Sequence, residues 1–134
     1  MTQEDKDLLL KDLCTRLPYK IRVSTPNKPI CAINSIPNIN STIVIDGSGE
    51  RVYPIKDIKP YLFPLSSMTE EQRQEYTYIV NYISTDDTDN WKEGEFIYVE
   101  QFTQLMHFYH RNHLDYRGLI PKGLALDATG LNIY

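Results

Sequence analysis

The stretch HRNHLDYRGLIPKGLALDA, residues 110–128, holds two histidines, an Asp-Tyr-Arg triplet, two glycines and a proline. Apolar spacing upstream of it fades near His113, so it reads as the end of a helix, a turn, and a segment returning to the core. Gly118 can cap that helix in the left-handed conformation, and LALDA can run back over a sheet. Arg117 can pair with Asp115 or with an acidic loop. The same residue types, His113, Asp115, Tyr116 and Arg117, can also polarise a carbonyl or hold an anion.

The helix before this stretch is expected from about Val99 to His113. With Phe102 as origin, Met106, Tyr109 and His113 fall within about 40° of it on an apolar stripe. His110 flanks the stripe at roughly 80° and His107 faces out near 140°. Three histidines so splayed do not converge on one ion, and neither cysteine is placed to complete a zinc site. No metal and no cofactor is expected.

Further upstream, Thr69 and Gln72 form a capping box that opens a helix of about Glu70 to Ile83, burying Tyr76, Ile79, Val80 and Ile83. STDDTDNWKEGE, 84–95, reads as an acidic loop. Its glycine and glutamate are wrongly spaced from Asp87 and Asp89 for an EF-hand. KDIKPYLFPLSS, 56–67, carries two prolines and reads as an extended crossing segment. Before it, YKIRVST (19–25) alternates, with Tyr19, Ile21 and Val23 on one face. ICAINSI (30–36) is a second strand, and TIVI, DGSGE and RVYPI (42–55) form a β-hairpin. At the start, Thr2 caps a helix whose Leu9, Leu10, Leu13, Cys14 and Leu17 share an arc and which stops before Pro18. The fold class is α+β: an N-terminal helix, a small antiparallel sheet or partly open barrel, two C-terminal helices and a return segment.

The 134 residues make one domain, with 41% hydrophobic and 24% charged residues. A net charge of −4 without a basic run argues against nucleic acid as partner. The opening MTQEDKDLLLK is acidic where a signal peptide is basic, and no apolar run approaches the roughly 20 residues of a membrane span. A cytoplasmic protein is expected, with no membrane association. Cys14 and Cys31 are read as buried thiols, with a single disulfide as the alternative.

No nucleophile motif accompanies the histidines. There is no GxSxG, and DGSGER lacks the lysine and spacing of a phosphate-binding loop. Ten tyrosines are many for this length. Tyr78 and Tyr82 lie opposite the buried face of their helix, and Phe108 lies about 120° from the apolar stripe of its own. They form either an exposed aromatic patch or a second packing cluster.

The opening MTQEDKDLLLKDLCTRLPY, the middle IKPYLFPLSSMTEE and the closing HLDYRGLIPKGLALDA resemble a family of small uncharacterised proteins of gut Bacteroidales and their prophages and mobile elements. Asn112, His113 and Leu114 depart from the family's His-His-Phe, and TGLNIY replaces its Pro-Glu-Gly tail. The resemblance implies an intracellular protein of a gut bacterium or its phage and brings no activity. Small accessory proteins of such elements often bind a host factor or signalling molecule.

The leading expectation is a non-enzymatic binding protein that holds a host protein partner through Tyr78, Tyr82 and Phe108 or beside HLDYRGL. A second is a small-molecule binder in which Arg117, His113 and Tyr116 hold an anionic ligand such as a nucleotide. A small hydrolase or transferase with His110 or His113 as base ranks third.

Overall fold

In the computed structural model the backbone is described for residues 1–38, 41–45, 50–84 and 91–134, and side chains for 1–36, 51–81 and 100–134. The DGSG turn and residues 85–90 of the acidic loop, with Asp87 and Asp89, lie outside the described residues, as does the side chain of Tyr82. The elements are α1 (Gln3–Arg16), β1 (Arg22–Ser24), β2 (Cys31–Asn38), β3 (Ser41–Ile45), β4 (Glu50–Pro54), β5 (Lys59–Leu62), α2 (Glu70–Ser84), α3 (Trp91–Arg111) and β6 (Leu126–Asp127). The fold is α+β as expected.

Local chemistry starts both early helices. The Thr2 hydroxyl accepts from Asp5 N–H while the Asp5 carboxylate accepts from Thr2 N–H, a full capping box. Thr69 and Gln72 repeat the arrangement ahead of α2. Each cap satisfies two helix-end N–H groups that would otherwise lack partners, an effect of about 1 kcal/mol.

The strands form one sheet in the order β4-β3-β2-β1-β5-β6, antiparallel except for the parallel β5–β6 pair. β4 and β6 stand at its two edges. The segment expected merely to cross, 56–67, contributes β5, which pairs with β1 through Val23↔Pro60 and Ser24↔Lys59. The return segment lies at the sheet edge, with Leu126 opposite Tyr61 and Asp127 opposite Leu62. Phe63, just past β5, pairs in parallel with Leu114.

Two apolar clusters result. One joins Leu9 and Leu13 of α1 to Ile21, Val23, Ile33, Ile58, Leu62, Leu119 and Leu124. The other joins Ile79 of α2 to Phe108, Tyr109 and Leu114, with Tyr76 and Tyr116 packed against them.

Several expectations are corrected. α3 is described from Trp91, eight residues before the expected start at Val99, so the end of the stretch read as an acidic loop is helical. Its buried residues are Gln101, Phe108, Tyr109 and His110, with Leu105 half-buried among them, whereas Phe102 is 62% exposed. Phe108 is therefore core and no part of an exposed aromatic patch. On α1 the inward arc is turned by roughly 80° from the expected one. Asp12 and Arg16 face inward and Cys14 faces solvent. Neither Cys14 nor Cys31 is in a disulfide, and Cys31 is buried. His113, with φ 54°, rather than Gly118, is the left-handed residue that ends α3. Its N–H donates to His110 C=O, and the next N–H, Leu114, to Tyr109 C=O, the Schellman pattern.

Candidate functional site

The stretch 110–128 meets the end of α1 where the two apolar clusters adjoin. Asp12 is fully buried and receives two guanidinium groups. Arg16, one turn on, donates Nε–H to Oδ2 at 2.7 Å, and Arg117 donates Nε–H to Oδ1 at 3.1 Å. Arg16 also donates through Nη2 to Leu114 C=O at 2.7 Å, so one buried side chain ties α1 to the chain leaving α3. Such burial is tolerable because each charge has a close, directed partner. The i, i+4 spacing of Asp12 and Arg16, acid first, was the sequence signal for the pair.

Tyr116 is the aromatic wall of this junction. Its ring stacks on Tyr109 with centroids 4.8 Å apart, and the guanidinium carbons of Arg117 and Arg16 lie 4.9 and 5.3 Å from its centroid. These distances suit cation–π attraction. The Tyr116 hydroxyl is 2.7 Å from His110 Nε2. At the outer side, Tyr19 hydrogen-bonds to Nδ1 of the exposed His107, and its ring lies 5.5 Å from that of His110.

The electrostatic environment is cationic. Burial, reinforced by Arg16 and Arg117 and by His107, lowers the His110 pKa to about 4. Burial and then Arg16 lower that of His113 to about 4 as well. Both imidazoles are neutral at pH 7 and far weaker bases than a poised general base needs. Asp115 adds no counter-ion to Arg117, contrary to one expectation. Its two oxygens accept from Leu119 N–H at 2.8 Å and Ile120 N–H at 2.9 Å, which fixes the turn after α3. Two guanidiniums thus share one carboxylate. Arg16 Nη1 is buried and has no hydrogen-bond partner among the described residues.

Of the residues singled out in the sequence, Arg117, Tyr116 and His110 come together, and Asp115 braces the turn beside them. His113 stacks instead on Tyr134, with ring centroids 3.6 Å apart. Tyr78 is exposed on α2. Asp12, Arg16, Tyr19 and Tyr134 are the participants that sequence reasoning missed. Among the described residues, no cluster of His, Cys, Asp and Glu is placed to hold a metal ion, and no helix is long and apolar enough to cross a membrane.

Comparison with protein-family models found no match, and searches of curated proteins and of solved structures found none either.

Proposed function

We propose that this chain is a non-enzymatic, intracellular binding protein that holds a small anionic molecule, such as one bearing a phosphate, at the Asp12–Arg16–Arg117 junction. One observation carries the reading: a fully buried guanidinium, Arg16, keeps a nitrogen without a partner in a cluster with a surplus of positive charge. Desolvated cations favour an anion strongly, and a guanidinium matches phosphate or carboxylate geometry. Arg117 is the entry point. Its side chain is 18% exposed, and beyond the Asp12 bond it makes no other hydrogen bond among the described residues. The weak basicity of both buried histidines supports binding over acid–base catalysis. The resemblance to small proteins of gut Bacteroidales and their phages supports the intracellular setting.

Inorganic pyrophosphate serves as a generic probe. Added at about a hundred times its Kd, it should stabilise the protein by about 2.7 kcal/mol and raise the melting temperature by roughly 5–10 °C. Arg117→Ala should fold and lose that rise. An equal rise in the variant would place the anion elsewhere and sink the reading.

A second reading, a host protein partner, rests on Tyr78 and Phe102, which are 70% and 62% exposed on α2 and α3. Large exposed aromatics mark partner surfaces more often than catalytic ones.

A further inference from the structure

The side chain of Tyr134 completes a sheet, bridging β1 and β5. The β1–β5 ladder pairs Val23 with Pro60 and goes no further toward Arg22 and Tyr61. Two residues beyond Tyr61, Phe63 has already changed partner, donating to His113 C=O and accepting from Asp115 N–H, both at 2.8 Å. The gap between these two ladders is closed by the phenol of Tyr134. Its oxygen accepts from Arg22 N–H at 2.9 Å and donates its one proton to Tyr61 C=O at 2.7 Å.

The walls of this position are aromatic. The Tyr134 ring lies on the His113 imidazole at 3.6 Å between centroids and 15° between planes, with Phe63 at 5.9 Å. Beneath it, His113 is buried and its Nδ1 has no partner among the described residues. A flat slot with one donor and one acceptor at its end recognises a ring carrying a hydroxyl. It discriminates against the same ring without one, because a ring covering the two backbone groups would then leave both without a partner.

The tether is slight. Thr129, Gly130, Leu131 and Asn132 are exposed, and the backbone hydrogen bonds of 129–131 reach only Asp127 and Ala128. Among the described residues, Tyr134 is held by its own side chain rather than by the segment leading to it. The geometry points to a phenol-recognition socket formed by Arg22 N–H, Tyr61 C=O, His113 and Phe63, in which Tyr134 is an exchangeable occupant and an exogenous para-substituted phenol the competing ligand. Such a ring can be a free small phenol or a tyrosine side chain of a peptide. The socket is separate from the Asp12 junction and does not depend on that reading.

Tyr134→Ala vacates the socket. p-Cresol should bind this variant saturably, at least tenfold more tightly than toluene, which fills the same space without a hydroxyl. It should bind the unaltered protein at least tenfold more weakly than the variant, because there it must displace Tyr134. N-acetyl-tyrosinamide binding the variant as well as p-cresol does identifies a peptide source. Its exclusion while p-cresol binds identifies a free phenol. Equal affinity for p-cresol and toluene, or no binding of p-cresol, overturns the socket. Should Tyr134→Ala be unfolded alone, p-cresol must restore its fold where toluene does not, and failure to do so overturns the socket equally.

Discussion

Replacing Arg16 with alanine is expected to destabilise the protein by about 3–5 kcal/mol, the cost of breaking a buried ion pair by removing one partner. Native domains are stable by only about 5–15 kcal/mol, so this single change brings the fold close to its limit. The effect is large because the substitution removes three interactions at once. Asp12, with no exposure, is left with one of its two guanidiniums; Leu114 C=O loses its 2.7 Å guanidinium donor and keeps only Tyr116 N–H at 3.1 Å; and the Tyr116 ring keeps one of its two cations, Arg117. Urea unfolding should show the midpoint falling with little change in slope. Asp12→Leu with Arg16→Met should cost less than the two single changes summed, since a hydrophobic pair leaves no fully buried charge stranded and Arg117, 18% exposed, can turn to water. Arg117→Ala should be much milder, because its ion pair is the more exposed one. A loss under about 1 kcal/mol for Arg16→Ala would mean that the pair does not fasten α1 to the segment after α3.

The second large effect is acid lability above the range of ordinary carboxylates. His110 and His113 have pKa values near 4 in the folded protein against 6.5 when unfolded. The unfolded chain therefore binds protons first as pH falls. Stability from these groups is complete above about pH 6.5 and is lost progressively down to about pH 4. The gap between 6.5 and about 4, at about 1.4 kcal/mol per pH unit, gives up to about 3 kcal/mol per histidine. Urea midpoints at pH 7.0, 5.5 and 4.5 should fall steadily, beginning well above the carboxylate range. His113→Asn keeps a residue tolerant of positive φ and should flatten the slope by about half. An unaltered slope in that variant would show that His113 is not buried as described.

Local signals made much of this fold legible in advance. The helix starts at Thr2 and Thr69, the alternation through Ile21 and Val23 and the β3–β4 hairpin each depend on residues close in sequence. What escaped depends on distant partners. Pro60 marks a break when read alone, yet β5 forms because Val23 and Leu126 approach from far along the chain on either side. On α1 the expected face assumed that charges point outward. Asp12 and Arg16 reverse this because Leu114 C=O and Arg117, about a hundred residues away, supply the partners that make burial tolerable. Likewise α3 turns Gln101 inward and Phe102 outward, a choice its own apolar count opposes.

The site followed the same division. Arg117 and Tyr116 were visible as residue types suited to an anion, and they do meet His110. Their acidic partner was not visible, because Asp115 is adjacent in sequence but occupied with the turn, while Asp12 is distant and reached only in the fold. His113 showed its chemistry in sequence but not its place, since a left-handed histidine at a helix end has no pattern distinguishing it from a glycine cap further on.

The most direct test of the anion site is side-chain 15N NMR of the arginines during titration with pyrophosphate. Occupation of the junction requires the Nε and Nη signals of Arg117 and Arg16 to shift together and saturate at one equivalent, with Arg22, Arg51, Arg73 and Arg111 unmoved. Shifts confined to those other arginines, or weak and unsaturated shifts in all of them, would contradict an anion site at Asp12, Arg16 and Arg117.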